Sequence, residues 1–286
     1  MCRSKLIAAL VTHKIRDDPH YKVKHIQSDV KNKYGLDVTY RKAWYARQKC
    51  IEQEYGKFGD SYNELPFFLQ SVQTTNPSTV VEIEYTESNQ GAPYCDFLYA
   101  FWVFKPAIDG FRFCFPVISV DGTHLYGNYK GHLFLVVGMN ANREIFPLAY
   151  SIVDSENAAS WTWFMTLLAT HVFPDHESVC IISDRHAGID AAFRDLSALH
   201  PPRVQRRYCL RHIRSNVMTR NRNRRLRALI WEVGIATTRR EFGNKIERIR
   251  AEWPAAYNYL ATIDTEKWAL SHDGGHRYGI MTTNSS

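Results

Sequence analysis

The sequence predicts an α/β fold behind a helical N-terminal module, and three observations predict it. The first 55 residues combine helical spacing of apolar side chains with residues that start and stop helices. From Val80 the texture changes to short apolar runs separated by turn residues, the pattern of strands. From Pro116 onward the order reads three strands, helix, strand, helix, short strand, helix.

In the first region, SKLIAALVTHKI places Leu6, Ala9, Leu10 and His13 at helical spacing, and KVKHIQSDVKNKYG repeats the pattern with Val23, Ile26 and Val30 before a Gly35 C-cap. Thr39 caps a third, basic helix, TYRKAWYARQKCIEQEY. Two helices, a turn and a basic helix follow helix-turn-helix grammar, which offers Arg41, Lys42, Arg47, Gln48 and Lys49 to DNA. Residues 56–79 read as a linker ending in TTNPST. In residues 80–202, VVEIEY and YCDFLYAFWVF are strands, Pro106 to Gly110 a turn, and PVISVD, HLFLVVGMN and REIFPLAYSIVD a meander. A helix with Trp161, Phe164, Leu168 and Val172 on one face starts from Ser155 or Asn157. The strand SVCIISD, the helix HAGIDAAFRDLSAL and the short strand RVQRRYC follow; the rest of 203–286 reads as helices broken near Gly234, Pro254 and Gly274-Gly275.

At 286 residues with 45% hydrophobic content and 13% aromatics, the chain can bury a real core. No apolar run reaches the roughly 18 residues a membrane helix needs, so no membrane is expected as a partner. The six cysteines form no CxxC pair and read as reduced thiols. The net charge of +7 is unevenly spread. Residues 1–50 hold 12 Lys/Arg against 4 Asp/Glu, residues 51–202 hold 7 against 18, and residues 203–286 hold 17 against 7. Basic flanks suit a polyanion such as DNA, and clustered carboxylates suit divalent cations.

The sharpest chemical signal is a pair of aspartates closing two apolar strands, Asp121 in VISVDG and Asp184 in CIISDR. They are 63 residues apart with a crossover helix between them, which allows their strands to be parallel neighbours with both carboxylates at one rim. Two adjacent carboxylates repel unless a cation bridges them, and Mg²⁺ or Mn²⁺ takes such ligands together with water and phosphate oxygens. Cys209 and His212, three apart, offer half a zinc site with no second pair of suitable spacing. Residues 203–227 carry ten arginines and no acid; Arg206, Arg207, Arg211 and Arg214 are candidate phosphate contacts, and RNRNRRLR resembles a nuclear localisation signal. Trp161 and Trp163 read as packing residues, while His124, Tyr126 and Asn128 follow Asp121 towards the same rim.

The stretch from VISVDGTHLYGNYKGHLFLVVGMNANREIFPLAYSIVDSENAASWTWFMTLL to CIISDRHAGIDAAF resembles the catalytic domain of plant Mutator-like element (MULE) transposases. RYCLRHIRSN is similar to that family's Cys-x-x-His segment and HRYGIMTTNSS to its approach to a third acid, so the resemblance covers roughly residues 80–286. It implies a ribonuclease-H-like catalytic core, a mixed sheet flanked by helices, with a C-terminal helical insertion. It also implies a DDE triad holding two Mg²⁺ or Mn²⁺ ions for DNA strand cleavage and transfer at terminal inverted repeats, in the nucleus, with a homo-oligomer left open. Asp121 and Asp184 would be its first and second acids. In relatives the third is a glutamate after a Thr-Ser/Thr-Asn element; here Thr282-Thr283-Asn284 is present and the sequence ends at Ser286. Glu232, Glu241, Glu247, Glu252 and Glu266 fall in the stretch that resembles the insertion and are not expected as ligands. The expectation is therefore a transposase-derived, DNA-binding protein with impaired catalysis. The alternative is a domesticated, non-catalytic transcriptional regulator.

Overall fold

The computed structural model describes residues 4–56, 58–86, 96–125, 131–174 and 176–283. Four helices come first: α1 (Ser4–Asp17), α2 (Val23–Tyr34), α3 (Tyr40–Tyr55) and α4 (Phe58–Thr75). The chain divides into two compact units, with the boundary between Phe68 and Leu69. In the first unit α1, α2 and α3 pack around Ile7, Val11, Ile15, Ile26, Val30, Ala43, Ala46 and Cys50. Gly35 closes α2 at φ +64°, and the Thr39 hydroxyl accepts from Lys42 N at the start of α3, both as the sequence implies. The buried stripe of α1 differs from the expected one. Leu6 is 47% exposed while Ile7, Ala8, Val11 and Ile15 face inward. In so apolar a helix two neighbouring stripes fit the helical period, and contact with α3 selects between them.

The expected linker is largely helical, since α4 occupies 58–75 with Pro66 inside it. The expected turn at Pro106–Gly110 is a short helix, α5 (Lys105–Phe111), with proline in its first turn, where its missing N–H costs nothing.

The second unit is built on seven strands: β1 (Val80–Tyr85), β2 (Phe97–Val103), β3 (Val117–His124), β4 (His132–Met139), β5 (Ile145–Val153), β6 (Val179–Ser183) and β7 (Val204–Tyr208). They form one mixed sheet in the order β1-β2-β5-β4-β3-β6-β7. Pairing is antiparallel from β1 to β3, and parallel from β3 through β6 to β7. β7 completes this sheet, so the sheet crosses the boundary read at residue 202.

The parallel strands need crossovers, which α6 (Ala158–His171) and α7 (Ala187–Asp195) supply. Asn157 begins α6 with a reciprocal capping box to Ser160. Trp161 on α6 is fully buried and stacks on Phe134 of β4 at 3.8 Å between ring centroids. Truncating a tryptophan so placed costs about 3–5 kcal/mol. Beyond the sheet, α8 (Leu210–Arg220), α9 (Arg224–Gly234), α10 (Arg239–Glu252) and α11 (Pro254–Ala261) share their own core around Leu226, Ile230, Ile249 and Trp268. No helix among the described residues is long and apolar enough to cross a membrane.

Candidate functional site

β3 and β6 are parallel neighbours, with Val117, Ile118 and Ser119 opposite Cys180, Ile181 and Ile182. Carried two residues further, that register sets Asp121 opposite Asp184, in one row on adjacent strands about 4.8 Å apart. Asp121 lies within β3, because pairing to β4 continues to His124 after the ladder to β6 has ended. Asp184 directly follows β6.

Each carboxylate is held by named donors. Asp121 Oδ1 accepts from Gly122 N at 3.1 Å, and Oδ2 accepts from the Thr283 hydroxyl at 3.0 Å and the Arg211 guanidinium at 3.3 Å. Asp184 Oδ1 accepts from His186 N at 3.2 Å. Burial pushes the Asp184 carboxyl above its usual range, against the opposing pull of that N–H and of the nearby His212. Glu156 adds a third negative charge near Asp184, and its Oε1 accepts from Trp161 Nε1 at 3.2 Å. A Cβ on Gly122 would lie 3.5 Å from that same oxygen, so Glu156 borders β3 as well.

The Cys-x-x-His segment opens α8 beside this row. Cys209, fully buried, is the N-cap residue, and its backbone N donates to Ser183 O at 2.8 Å. Its sulfur accepts from Thr283 N at 3.4 Å. Burial raises the thiol, but hydrogen bonds from His212 and Thr283 outweigh it and bring the thiol down to about 7. His212 is shifted up, first by Cys209 and against burial, with Asp121 adding to the rise.

The stretch before Thr283 is anchored on the same wall. Leu210 N donates to Met281 O at 2.9 Å, and Ser119 Oγ donates to Thr282 O at 3.4 Å. Further back, the fully buried Arg277 donates to Tyr208 O at 3.1 and 3.2 Å. The Asp273 carboxylate accepts from Gly275 N and Arg277 N. Thr282 and Thr283 are thus held against β3 by partners up to 163 residues away in sequence. Asn284, like Tyr126 and Asn128, lies outside the described residues.

The predicted phosphate contacts separate into two groups. Arg207 is 5% exposed and donates to Arg206 O and Asp273 O, while Arg206 pairs with Asp190 at 2.6 Å and lies over Phe193 and Tyr208. Both are residues of β7, and these contacts engage them within the protein. Arg211 and Arg214 instead line a cavity of about 550 Å³ with Arg222, Arg224 and Arg227. In the N-terminal unit Arg41 and Lys42 are exposed on α3, with Arg41 over the Tyr45 ring. Lys49 is half-buried, and Arg47 donates to Tyr21 O and Pro19 O, bracing the α1–α2 connection.

Mg²⁺ or Mn²⁺ fits the Asp121–Asp184 row: both donors are hard carboxylate oxygens, and a divalent cation would offset the burial that disfavours ionised Asp184. Among the described residues no group of three His, Cys, Asp or Glu side chains converges to hold an ion, so neither this row nor the Cys209–His212 pair is completed by a third such ligand. Glu156, His186, the Arg211–Asp121 pair and the contacts of Thr283 are not encoded in any local pattern of the sequence. Of these residues only Thr283 carried a signal, the TTN element.

Compared with known proteins, residues 117–216 match the MULE transposase domain family. That span runs from the first residue of β3 into α8 and includes Asp121, Asp184, Cys209 and His212. No curated protein matches the chain.

Proposed function

From its standing as a MULE family transposase-like protein, we propose that this chain binds DNA and derives from an enzyme that cuts and joins DNA strands at the Asp121–Asp184 row. The observation that carries this reading is the parallel pairing of β3 with β6, whose register, continued past Ser119 and Ile182, brings Asp121 level with Asp184. The meander β3-β4-β5 continued by parallel β6 and β7 supports a ribonuclease-H-like core. Asp121 and Asp184 would hold Mg²⁺ or Mn²⁺, which when bound supplies Lewis-acid stabilisation of the attacking and leaving oxygens in phosphodiester exchange. The chain's own residues prepare that site. Thr283 and Gly122 fix the Asp121 carboxylate, His186 N–H fixes that of Asp184, and Arg211 brings a positive charge to the edge of the row. The exposed Arg220, Arg222, Arg224, Arg225 and Arg227 are accessible to a nuclear import receptor, in keeping with action on chromosomal DNA.

Engagement of Asp121 Oδ2 by both Arg211 and the Thr283 hydroxyl, which occupies that oxygen without a cation, favours a second reading, a DNA-binding regulator without catalysis. One experiment separates them. Purified chain is incubated with Mn²⁺ and labelled terminal-repeat duplex, and both retention and nicking are measured. Retention with nicking lost in Asp184→Asn supports catalysis; retention without nicking supports the regulator; no retention refutes both.

A further inference from the structure

The basic run after β7 builds more than a charged surface. Arg211 and Arg214 from α8, Arg222 from the connection to α9, and Arg224 and Arg227 in the first turn of α9 line one cavity of about 550 Å³. Among the described residues, no carboxylate and no aromatic ring lines it. Collecting five guanidinium groups around one space is costly in an isolated protein, because like charges repel; Asp121 offsets Arg211, and no acid among the described lining residues offsets the other four. Arg214 registers this crowding: burial pulls its guanidinium down, and Arg227 and Arg211 pull it further. The N-terminal end of α9 adds to the field, with Asn223 capping Arg225 N and Leu226 N at the cavity wall. A single phosphate would leave most of the volume empty, whereas pockets of this size take ligands of nucleotide scale or larger. With no ring for a base to stack on, the lining recognises phosphate and not sequence.

Position gives the cavity its meaning. Arg211 belongs to its wall and at the same time lies 3.3 Å from Asp121 Oδ2, so one side chain joins the cavity to the Asp121 carboxylate. We propose that it holds consecutive backbone phosphates of one DNA strand, and that Arg211 links this grip to the Asp121–Asp184 row. The proposal rests on the reading of the protein as DNA-acting, and deepens it by naming where the strand is held.

The test uses the full chain and two triple variants. Arg222→Gln/Arg224→Gln/Arg227→Gln removes three exposed cavity arginines, and Arg240→Gln/Arg248→Gln/Arg250→Gln removes three exposed arginines outside the cavity. Circular dichroism first establishes that both variants fold. Binding to a labelled duplex is then followed against salt. Every phosphate that is no longer neutralised lowers the log–log slope by about 0.9, so the cavity variant should drop about 2–3 in slope and at least tenfold in affinity. The α10 variant should drop by less than half of that. Calorimetry with tripolyphosphate should show binding to the wild type and to the α10 variant, and none to the cavity variant. Duplex binding unchanged in the cavity variant, or reduced equally in both variants, overturns the cavity and leaves the DNA reading standing. Cavity-dependent tripolyphosphate binding with no duplex binding supports an anion site and overturns the DNA reading. Polyglutamate competing as well as duplex overturns the assignment to phosphate.

Discussion

Arg277 is where one substitution should show how the TTN element is held at the site. Its side chain is fully buried, donates twice to Tyr208 O and once to Lys267 O, and lies 3.9 Å from the carboxylate of Asp273, itself 2% exposed. Arg277→Met keeps an unbranched apolar stem in place of the arginine's aliphatic part but removes every side-chain donor. Asp273 then keeps a buried charge with its backbone donors alone, and the Tyr208 and Lys267 carbonyls lose their partner. Breaking a buried pair from one side costs about 3–5 kcal/mol. For a unit of this size each kcal/mol moves the midpoint by about 2–4 °C, so the fall should be on the order of 10 °C. Near-UV circular dichroism reports the transition through the tryptophans of the sheet-bearing unit. Hydrogen exchange at Ile280 to Thr283 should rise in the same variant, because that stretch loses its anchor. A midpoint shift below about 2 °C, or unchanged exchange there, would refute the anchoring role.

Three further outcomes follow from individual contacts. Gly188→Ala places a Cβ 2.6 Å from Trp161 Cδ1 and 2.7 Å from the backbone oxygen of Asn157, so denaturant titration should show a loss of about 1–3 kcal/mol. Gly243→Ala, on α10 with nothing within 4 Å, should instead be neutral or stabilise by up to about 1 kcal/mol; the same sign for both would contradict the packing described. Cys209 should titrate near pH 7 by thiolate absorbance, and the step should vanish in Cys209→Ser. As an acid whose folded value lies below the unfolded one near 8.5, it adds stability that is fully present above about pH 8.5 and lost as pH falls through about 7.

The core of the fold was legible because it is locally encoded. The buried runs VISV and VCIIS, the amphipathic stretch around Trp161 and the 63-residue spacing imply two parallel strands joined through a helix. Thr39 and Gly35 act through neighbours within four residues, and both follow their local chemistry. What escaped the sequence depends on distant partners. Arg207 looks like a surface cation in RVQRRYC, yet its partner Asp273 lies 66 residues away. Thr283 reaches Asp121 across 162 residues and Arg211 reaches it across 90. No local pattern carries such pairings. The stripe that α1 buries was likewise undetermined, since its apolar residues satisfy the helical period on two adjacent faces and only packing chooses.

Direct Mn²⁺ binding tests, without reference to turnover, whether Asp121 and Asp184 form one divalent-cation site as proposed. Electron paramagnetic resonance of free Mn²⁺, titrated with the full chain, should show binding that falls at least tenfold in Asp121→Asn and also in Asp184→Asn. The double variant should lose little more than either single one, because one site is removed in each case. Binding that survives both substitutions, or two independent losses that add, would contradict a shared site.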